Sequence, residues 1–409
     1  MPVRGGAMPR RLSAAARNRP RALGLLLACA PGGAPLMSAL LTVDNVSKTY
    51  ASSGGLFGKP KSARVVSNVS FSLNRGDVFA LVGESGSGKT TIGRMLLRLI
   101  EPDAGHIRFD GIDVRALDAA ALRSLRRRVQ IIFQDPFGSL DPRVRIGAAI
   151  AEPILLHRLR PPGQIADRVA ELLALVGLDA SHASRYPHEF SGGQRQRVAI
   201  ARALAVEPEL IVCDEPVSAL DLSIQAQVVN LLGELRARLG VSYVFISHDM
   251  AVVRHLATHI GVLYAGRLVE TGPSETVFAD PRHPYTRMLL AATPSPVPES
   301  PRQREAIAGE PPSPFSSWSQ CRFASRCAHR IEPCLAGEPL LLQAAPSPRL
   351  SACLRAGDLP PFEAVDDGEE RMTAAYRTRL GLLRRARAAG SSDACPSSPM
   401  AAVSAHSPN

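Results

Sequence analysis

The sequence predicts an α/β fold built on a parallel sheet, and three observations point to it. Short apolar runs typical of buried parallel strands occur at 78–83, 209–216 and 241–249. Apolar residues at helical spacing fill segments between these runs, as in residues 164–177. The first run leads directly into a glycine-rich segment and then a helical pattern. Strands that alternate with helices in this way are typical of a parallel sheet.

Size, charge and hydropathy limit the classes of function. The 409 residues suffice for a large core and for more than one structural unit. The net charge is +11, but six arginines lie in residues 1–36 without any acid, so the rest of the chain carries only +5. We therefore predict no nucleic-acid partner. No stretch approaches the roughly 18 consecutive apolar residues of a membrane span, so we expect membrane association only through a partner.

The segment GESGSGKT (83–90) has the spacing of a phosphate-binding loop. Gly86 and Gly88 allow the backbone N–H groups to surround a phosphate, and Lys89 can reach the terminal phosphates. The hydroxyl of Thr90 can ligate Mg²⁺. Because this segment follows an apolar strand and opens a helix, it predicts a nucleotide site.

Two other apolar strands end in residues that suit phosphate chemistry. Asp214 and Glu215 follow the run LIVC, at the strand end where α/β sheets place ligands. Asp214 suits the Mg²⁺ shell, and Glu215 suits a general base that orients a water towards the γ-phosphate. His248 follows YVFIS and could contact the γ-phosphate. The alternatives are exposed loop acids and a structural histidine.

A second helix start in FSGGQRQRVAIARAL (190–204) also suits an anion. Ser191 is a good N-cap, and Gly192 and Gly193 expose the backbone. One chain thus has two phosphate-binding helix ends but a single Gly-Lys-Thr loop. A dimer explains this pattern, because the second end would then cover the nucleotide of the other subunit.

In combination, these motifs resemble the nucleotide-binding subunit of an ATP-binding cassette (ABC) transporter, from about Leu40 to Ala292. The resemblance implies a P-loop NTPase fold with a helical subdomain at about 120–190, and ATP and Mg²⁺ as ligands. One departure is Phe190, where the family usually has leucine. Among the implied nucleotide contacts, Tyr50 would stack on adenine. The contacts from the Walker A loop would be Gly83, Ser85, Gly86, Gly88, Lys89, Thr90 and Thr91. The remaining contacts would be Ser191, Gly193 and Gln194 of the signature, and Asp221 of the D-loop. The implied Mg²⁺ ligands are Thr90, Gln134 and Asp214, and the implied catalytic residues are Glu215, His248, Lys89 and Gln134.

Four units follow from the changes in pattern along the chain. We interpret residues 1–36 as a non-structural extension, although their arginines and the apolar ALGLLLACA imitate a secretory signal peptide. The nucleotide-binding domain is predicted at 37–292. Beyond it the prolines multiply and periodicity is lost, which predicts an irregular module at 293–355, here called the cysteine module. A disordered tail is predicted at 356–409.

The cysteine module holds Cys321, Cys327, Cys334 and Cys353. With PRHPYTRMLLAATP (281–294) and AGEPPSPF (308–315), it resembles the C-terminal module of the oligopeptide/dipeptide importer branch. That branch associates the four cysteines with a 4Fe–4S cluster. Four thiolates also suit zinc, or could remain free. None of these pairs has the close C-x₂-C spacing of a zinc knuckle, which favours the cluster.

The resemblance implies an ATP-hydrolysing subunit that energises peptide import across the cytoplasmic membrane. CDEPVSALDLSIQAQVVNLL (213–232) resembles the second of the two ATPase subunits that such importers pair. The implied partners are two transmembrane permeases, a sister ATPase or a second copy, and indirectly a solute-binding protein. The implied location is peripheral, on the cytoplasmic face. The alternative is a soluble ABC ATPase of a multi-enzyme complex such as the phosphonate C–P lyase assembly, against which the cysteine module argues.

Overall fold

The fold is given by a computed structural model that describes residues 39–52, 61–293, 309–310, 312–313, 315–316, 318–344 and 348–362. The predicted extension at 1–36 lies outside the described residues, as does the predicted tail beyond residue 362.

Strands and helices alternate through most of the described chain. The strands are β1 (Leu41–Ser52), β2 (Lys61–Leu73), β3 (Val78–Val82), β4 (Ala104–Phe109), β5 (Ile112–Asp113), β6 (Val129–Ile132), β7 (Leu210–Asp214), β8 (Ser242–Ser247), β9 (His259–Tyr264), β10 (Arg267–Pro273), β11 (Leu342–Gln343) and β12 (Leu350–Ser351). The α-helices are α1 (Lys89–Leu96), α2 (Ala119–Arg128), α3 (Pro136–Ser139), α4 (Ile146–Leu156), α5 (Ile165–Leu175), α6 (Gly192–Leu204), α7 (Leu222–Leu239), α8 (Met250–Leu256), α9 (Ser274–Ala279), α10 (Pro284–Ala291) and α11 (Pro333–Ala336). None of the helices within the described residues is both long and apolar enough to cross a lipid bilayer.

The larger sheet has the strand order β11-β12-β10-β9-β3-β8-β7-β6. The strands β9, β3, β8, β7 and β6 pair in parallel, as the sequence predicted. The sheet is mixed rather than wholly parallel, because β10, β12 and β11 continue it with antiparallel pairing. A second, antiparallel sheet has the order β2-β1-β4-β5.

The larger sheet is buried on both faces, which explains the continuous apolar runs of its strands. Along β3, Val78, Ala80 and Val82 belong to a core shared with the helices α4 to α8. Phe79 and Leu81 belong to a second core, shared with α1 and the smaller sheet. Alternate side chains of β3 thus point into two different cores. This packing fixes the position of the carboxyl end of β3 and of the loop that follows it.

The range 120–190, where a helical subdomain is predicted, begins within α2, which runs directly into β6, the edge strand of the larger sheet. Arg128, at the end of α2, forms ion pairs with Asp110 and Glu209. The helices α3 to α6 follow between β6 and β7. The bounds of the subdomain stay a prediction.

The described residues after position 355 also pack on the domain. Arg282 donates a hydrogen bond to the carbonyl of Ala356, and Arg287 donates one to the carbonyl of Pro360. Leu359 is buried. Residues 356–362 therefore pack on α10 and on the segment before it, and the predicted boundary between the cysteine module and the tail stays a prediction.

Candidate nucleotide-binding site

The loop between β3 and α1 can be formed only with glycine at two close approaches. Gly83 has φ +152°, and a Cβ there would lie 2.1 Å from the carbonyl oxygen of Leu263 in β9. Gly88 has φ +104°, and a Cβ there would lie 2.6 Å from the carbonyl oxygen of Val65 in β2. The loop is therefore pressed against both sheets, which leaves its other side open for a ligand.

A pocket lies on that open side. Besides Val65, eight of the predicted site residues line it: Ser85, Gly86, Gly88, Lys89, Thr90, Thr91, Gln134 and Glu215. Residues that are far apart in the sequence, on the loop, after β6 and after β7, thus meet in one place. Backbone N–H groups of a glycine-rich loop at a helix start form a fitting cradle for phosphate.

Lys89 lies at the base of this pocket with 4% of its side chain exposed. Its Nζ donates to the carbonyl oxygens of Gly83 at 2.8 Å and of Glu84 at 2.9 Å. Burial lowers the pKa of Lys89, while the carboxylates of Glu215, Asp214 and Glu84 oppose that shift. These carbonyls hold the ammonium group beside the loop where a terminal phosphate would bind.

Thr90 and Asp214 present two oxygen atoms side by side. The Thr90 hydroxyl donates to Oδ1 of Asp214 at 2.8 Å. Burial raises the pKa of Asp214, and the hydrogen bond from Thr90 acts against that rise. Oxygen ligands of this kind, next to a phosphate-binding loop, fit Mg²⁺, which binds few protein carboxylates together with substrate phosphates.

Glu215 is the point on which three predicted catalytic side chains converge. Its Oε2 accepts from Nε2 of Gln134 at 3.0 Å and lies 3.4 Å from Nδ1 of His248. Its Oε1 lies 3.9 Å from Nζ of Lys89. Glu215 also has φ +47°, a left-handed conformation that is uncommon outside glycine and is enriched at functional sites.

The predicted signature residues do not line this pocket. Ser191 caps α6, with its hydroxyl accepting from the Gln194 amide at 3.3 Å, while the Gln194 side chain accepts from the Ser191 amide at 3.0 Å. Asp221 caps α7 by accepting from the Ile224 amide at 3.0 Å. Gly193 packs so closely on Ile224 that an added Cβ would lie 2.4 Å from it. These residues form two well-built helix starts, and their role towards a nucleotide stays a prediction.

Two other sequence expectations concern aromatic residues. Tyr50 is exposed, and Nζ of Lys48 lies over its ring, 5.7 Å from the centroid. Its predicted stacking on adenine stays a prediction. Phe190 is buried and meets the His182 ring edge-on at 5.3 Å. The replacement of leucine by phenylalanine at position 190 is therefore accommodated inside the protein.

The four cysteines of the cysteine module line one small pocket together with His283 and His329. All four are free thiols. Burial raises the pKa of Cys321 and Cys327, and raises that of Cys353 to about 11. Within the described residues, no group of three or more histidine, cysteine or acidic side chains could hold a metal ion as placed.

Sequence reasoning missed the residues that support the phosphate-binding loop from behind. Tyr285 accepts a hydrogen bond from the backbone of Glu84 at 2.8 Å, and Arg326 forms an ion pair with the Glu84 side chain. Tyr285 belongs to the motif PRHPYTRMLLAATP, which the sequence analysis noted but to which it gave no part in the nucleotide site. That motif was the available signal.

Comparison with known proteins agrees with this geometry. Residues 66–218 match the family model described as ABC transporter, and residues 269–334 match that of the oligopeptide/dipeptide transporter C-terminal region. A Brucella ovis protein named as a peptide import ATP-binding protein is 49% identical over 77% of this chain and 98% of its own length. The dipeptide transport ATP-binding protein DppF of Escherichia coli is 44% identical over 75% of this chain and 92% of its own.

Solved structures agree as well. CbiO1 of Clostridium perfringens, part of an ABC transporter complex, aligns with a TM-score of 0.52 at 26% identity, over 59% of this chain and 91% of its own. A dimeric ATP-binding cassette in a post-hydrolysis state with ADP and Pi bound aligns with a TM-score of 0.52 at 30% identity, over 57% of this chain and 98% of its own.

Proposed function

The chain belongs to the ATP-binding subunits of ABC transporters, and from that premise we propose that it hydrolyses ATP to energise the import of peptides. The observation that carries the proposal is the pairing of two features in one chain: a phosphate-binding pocket, and a segment at 269–334 that matches the C-terminal region of oligopeptide/dipeptide transporters. The alternative, a soluble ATPase of a multi-enzyme complex, gains no support from any relative described above.

In this proposal the loop and α1 bind the triphosphate of ATP. Backbone N–H groups of Gly86 and Gly88 would donate to phosphate oxygens, and Lys89 would turn from the carbonyls of the loop towards the terminal phosphates. Tyr50 would stack on the adenine. Thr90, Asp214 and Gln134 would hold Mg²⁺, which neutralises phosphate charge when bound.

Hydrolysis is assigned to the carboxylate of Glu215. It would accept a proton from a water molecule placed in line with the γ-phosphate, while His248 contacts that phosphate. Gln134 would bind Mg²⁺ through its Oε1, while its Nε2 is the atom that donates to Glu215. The contacts of Gln134 and His248 thus hold the Glu215 carboxylate in place.

Completion of the site is assigned to a second ATPase subunit. Ser191, Gly193 and Gln194 do not line the pocket of their own chain, which supports a dimer in which they contact the nucleotide of the partner, as would Asp221. We propose that this partner is a sister subunit or a second copy. Closure of the dimer would act on two permeases through the segment around Gln134, at the cytoplasmic face of the membrane, and indirectly on a solute-binding protein.

The cysteine module is assigned a structural 4Fe–4S cluster, with zinc as the lesser alternative. Cys321, Cys327, Cys334 and Cys353 face a common pocket, which suits a group held by four thiolates. The four cysteines include no closely spaced C-x₂-C pair, which favours the cluster over a single zinc ion. Four protein ligands would leave no open position for catalysis.

A pull-down of the tagged chain from its native membranes tests the proposal. Recovery of two polytopic permeases and a second ATPase, identified by mass spectrometry, is the expected result, and the associated binding protein would identify the solute. Recovery only from the soluble fraction with metabolic enzymes, and without permeases, would favour the multi-enzyme alternative.

A further inference from the structure

A buried ion pair joins the cysteine module to the phosphate-binding loop. Arg326, next to Cys327 in the sequence, has only 2% of its side chain exposed. Its two terminal nitrogens donate to the two carboxylate oxygens of Glu84, each at 2.8 Å. Glu84 is the second residue of the loop GESGSGKT. A bidentate pair of this kind fixes orientation as well as charge.

The helix α10, which precedes the cysteine module, holds the loop through its backbone. The Glu84 amide donates to the Tyr285 hydroxyl at 2.8 Å. The Tyr285 ring packs against Tyr264 and Phe323, with ring centroids 4.6 Å and 5.5 Å away. Arg326 lies over Tyr264 and Phe323 and donates to the Tyr264 hydroxyl at 3.3 Å. One cluster therefore holds both the backbone and the side chain of Glu84.

The negative charge of Glu84 bears on the binding of ATP. Glu84 places a carboxylate beside a loop that must accept a triphosphate, and like charges repel strongly where water is partly excluded. The carbonyl of Glu84 also holds Nζ of Lys89 at 2.9 Å, so displacement of this residue would move a phosphate-binding group. The hydrogen bond to Glu84 raises the pKa of Arg326, which keeps the compensating charge in place.

We propose that Arg326 is a positioning residue that couples the cysteine module to ATP binding, by neutralising Glu84 and by fixing the loop that carries Lys89. Disruption of the module then weakens ATP binding. Because coupling between two sites is reciprocal, ATP binding also stabilises the module. This inference rests on the proposed function, since it concerns the same nucleotide site.

A double-mutant cycle on the full chain tests the pair. The variants are Arg326→Gln, Glu84→Gln and the two combined, and the measurement is the Kd of a fluorescent ATP analogue together with KM and kcat. We expect Arg326→Gln to weaken binding about 5- to 100-fold, mainly through Kd and KM. Glu84→Gln should weaken it less. The double variant should recover most of the affinity, because neither charge is then left unpaired.

Arg349→Gln provides a matched control. Arg349 lies in the same module, has 3% of its side chain exposed and pairs with Asp280 at 2.8 Å, but it does not line the nucleotide pocket. Its loss should lower thermal stability without changing the Kd for the ATP analogue. If Arg349→Gln weakens ATP binding as much as Arg326→Gln does, the effect is general destabilisation and the proposal is wrong.

Hydrogen exchange gives a readout that does not depend on hydrolysis. Amides of residues 321–336 should exchange more slowly when ATP is added to the wild type, and this protection should be lost in Arg326→Gln. Equal affinity of wild type and Arg326→Gln, with no change in exchange, overturns this inference alone. Failure of the wild type to bind ATP overturns the proposed function and this inference together.

Discussion

Gln134 donates a hydrogen bond from Nε2 to Oε2 of Glu215 at 3.0 Å. The bond joins the segment between β6 and α3 to the residue that follows β7. His248 follows β8, and its Nδ1 lies 3.4 Å from the same carboxylate oxygen. Any movement of the helices that begin at α3 therefore changes the surroundings of the proposed base. This hydrogen bond therefore connects the segment before α3 to the residue proposed to activate water.

We expect Glu215→Gln to bind ATP and to dimerise while hydrolysing it slowly. The amide cannot accept the proton of the attacking water, and a general base contributes about 10²- to 10⁴-fold to a rate. Phosphate release and size-exclusion chromatography with ATP would measure both properties. Glu171→Gln, which removes only an exposed pair with Arg168, is the control and should behave as wild type. Near-normal hydrolysis by Glu215→Gln would remove Glu215 from the mechanism.

The helix α6, which begins at the signature residues, gives a second prediction, which concerns the interface between two ATPase subunits. Ser191→Ala and Asp118→Ala each remove a side chain that caps a helix, and each should cost about 1 kcal/mol of stability. Only Ser191→Ala should lower the rate of ATP hydrolysis, by at least about tenfold, because only that hydroxyl is assigned to the nucleotide of the partner. Steady-state hydrolysis, compared with unfolding curves, separates the two effects. Equal rates in the two variants would contradict the shared site.

Glu209 gives a prediction for pH. It forms ion pairs with Arg75 and Arg128, and the hydrogen bond from Arg128, with further help from Arg75, lowers the pKa of its carboxyl. The native state therefore binds fewer protons at this group than the unfolded state does, so its stabilisation is present above the ordinary glutamate pKa and is lost as the pH falls through the lowered one. Glu209→Gln should lose about 1–2 kcal/mol near neutral pH.

Urea unfolding over a range of pH would measure this difference. The gap between wild type and Glu209→Gln should shrink below about pH 4, where the Glu209 carboxylate of the unfolded wild type begins to be protonated while that of the native state is still ionised. Glu101→Gln, which removes an exposed pair with Arg98, should change stability by less than about 0.5 kcal/mol. A gap that stays constant down to low pH would show that the charge of Glu209 contributes nothing.

The cysteine module gives a prediction for bound metal. Protein purified without oxygen should contain iron and acid-labile sulfide in stoichiometric amounts, and replacement of the four module cysteines by serine should abolish both. Cys213→Ala is the matched control, because Cys213 is buried inside β7 and away from the cysteine pocket. Stoichiometric zinc instead of iron would support the lesser alternative. An anaerobic sample with neither metal would rule out a metal-bound cysteine module.

The parallel part of the larger sheet and the nucleotide pocket could be predicted because local patterns specify both. Continuous apolar runs identified β3, β7 and β8, and the glycine spacing of the loop follows from the approach of Gly83 to Leu263 and of Gly88 to Val65. The extension of the sheet by antiparallel strands could not be predicted. The strands β11 and β12 have two residues each, which is too short for alternation to be recognised.

Contacts between distant segments were also beyond sequence reasoning. Glu84 and Arg326 are 242 residues apart, and each occurs in a motif with another obvious interpretation, a phosphate loop and a set of thiols. Nothing in either motif specifies the other.

The antiparallel strand β12 also affects the tendency of the protein to aggregate. It pairs with β10 through Glu270 and Thr271, and the Ala352 amide donates to the Val269 carbonyl at 2.8 Å. A chain cut before residue 350 would leave this part of the outer edge of β10 unpaired. Unpaired strand edges can recruit other strands, so we expect such a fragment to aggregate more readily than the full chain. The irregular end of the chain thus covers part of a sheet edge.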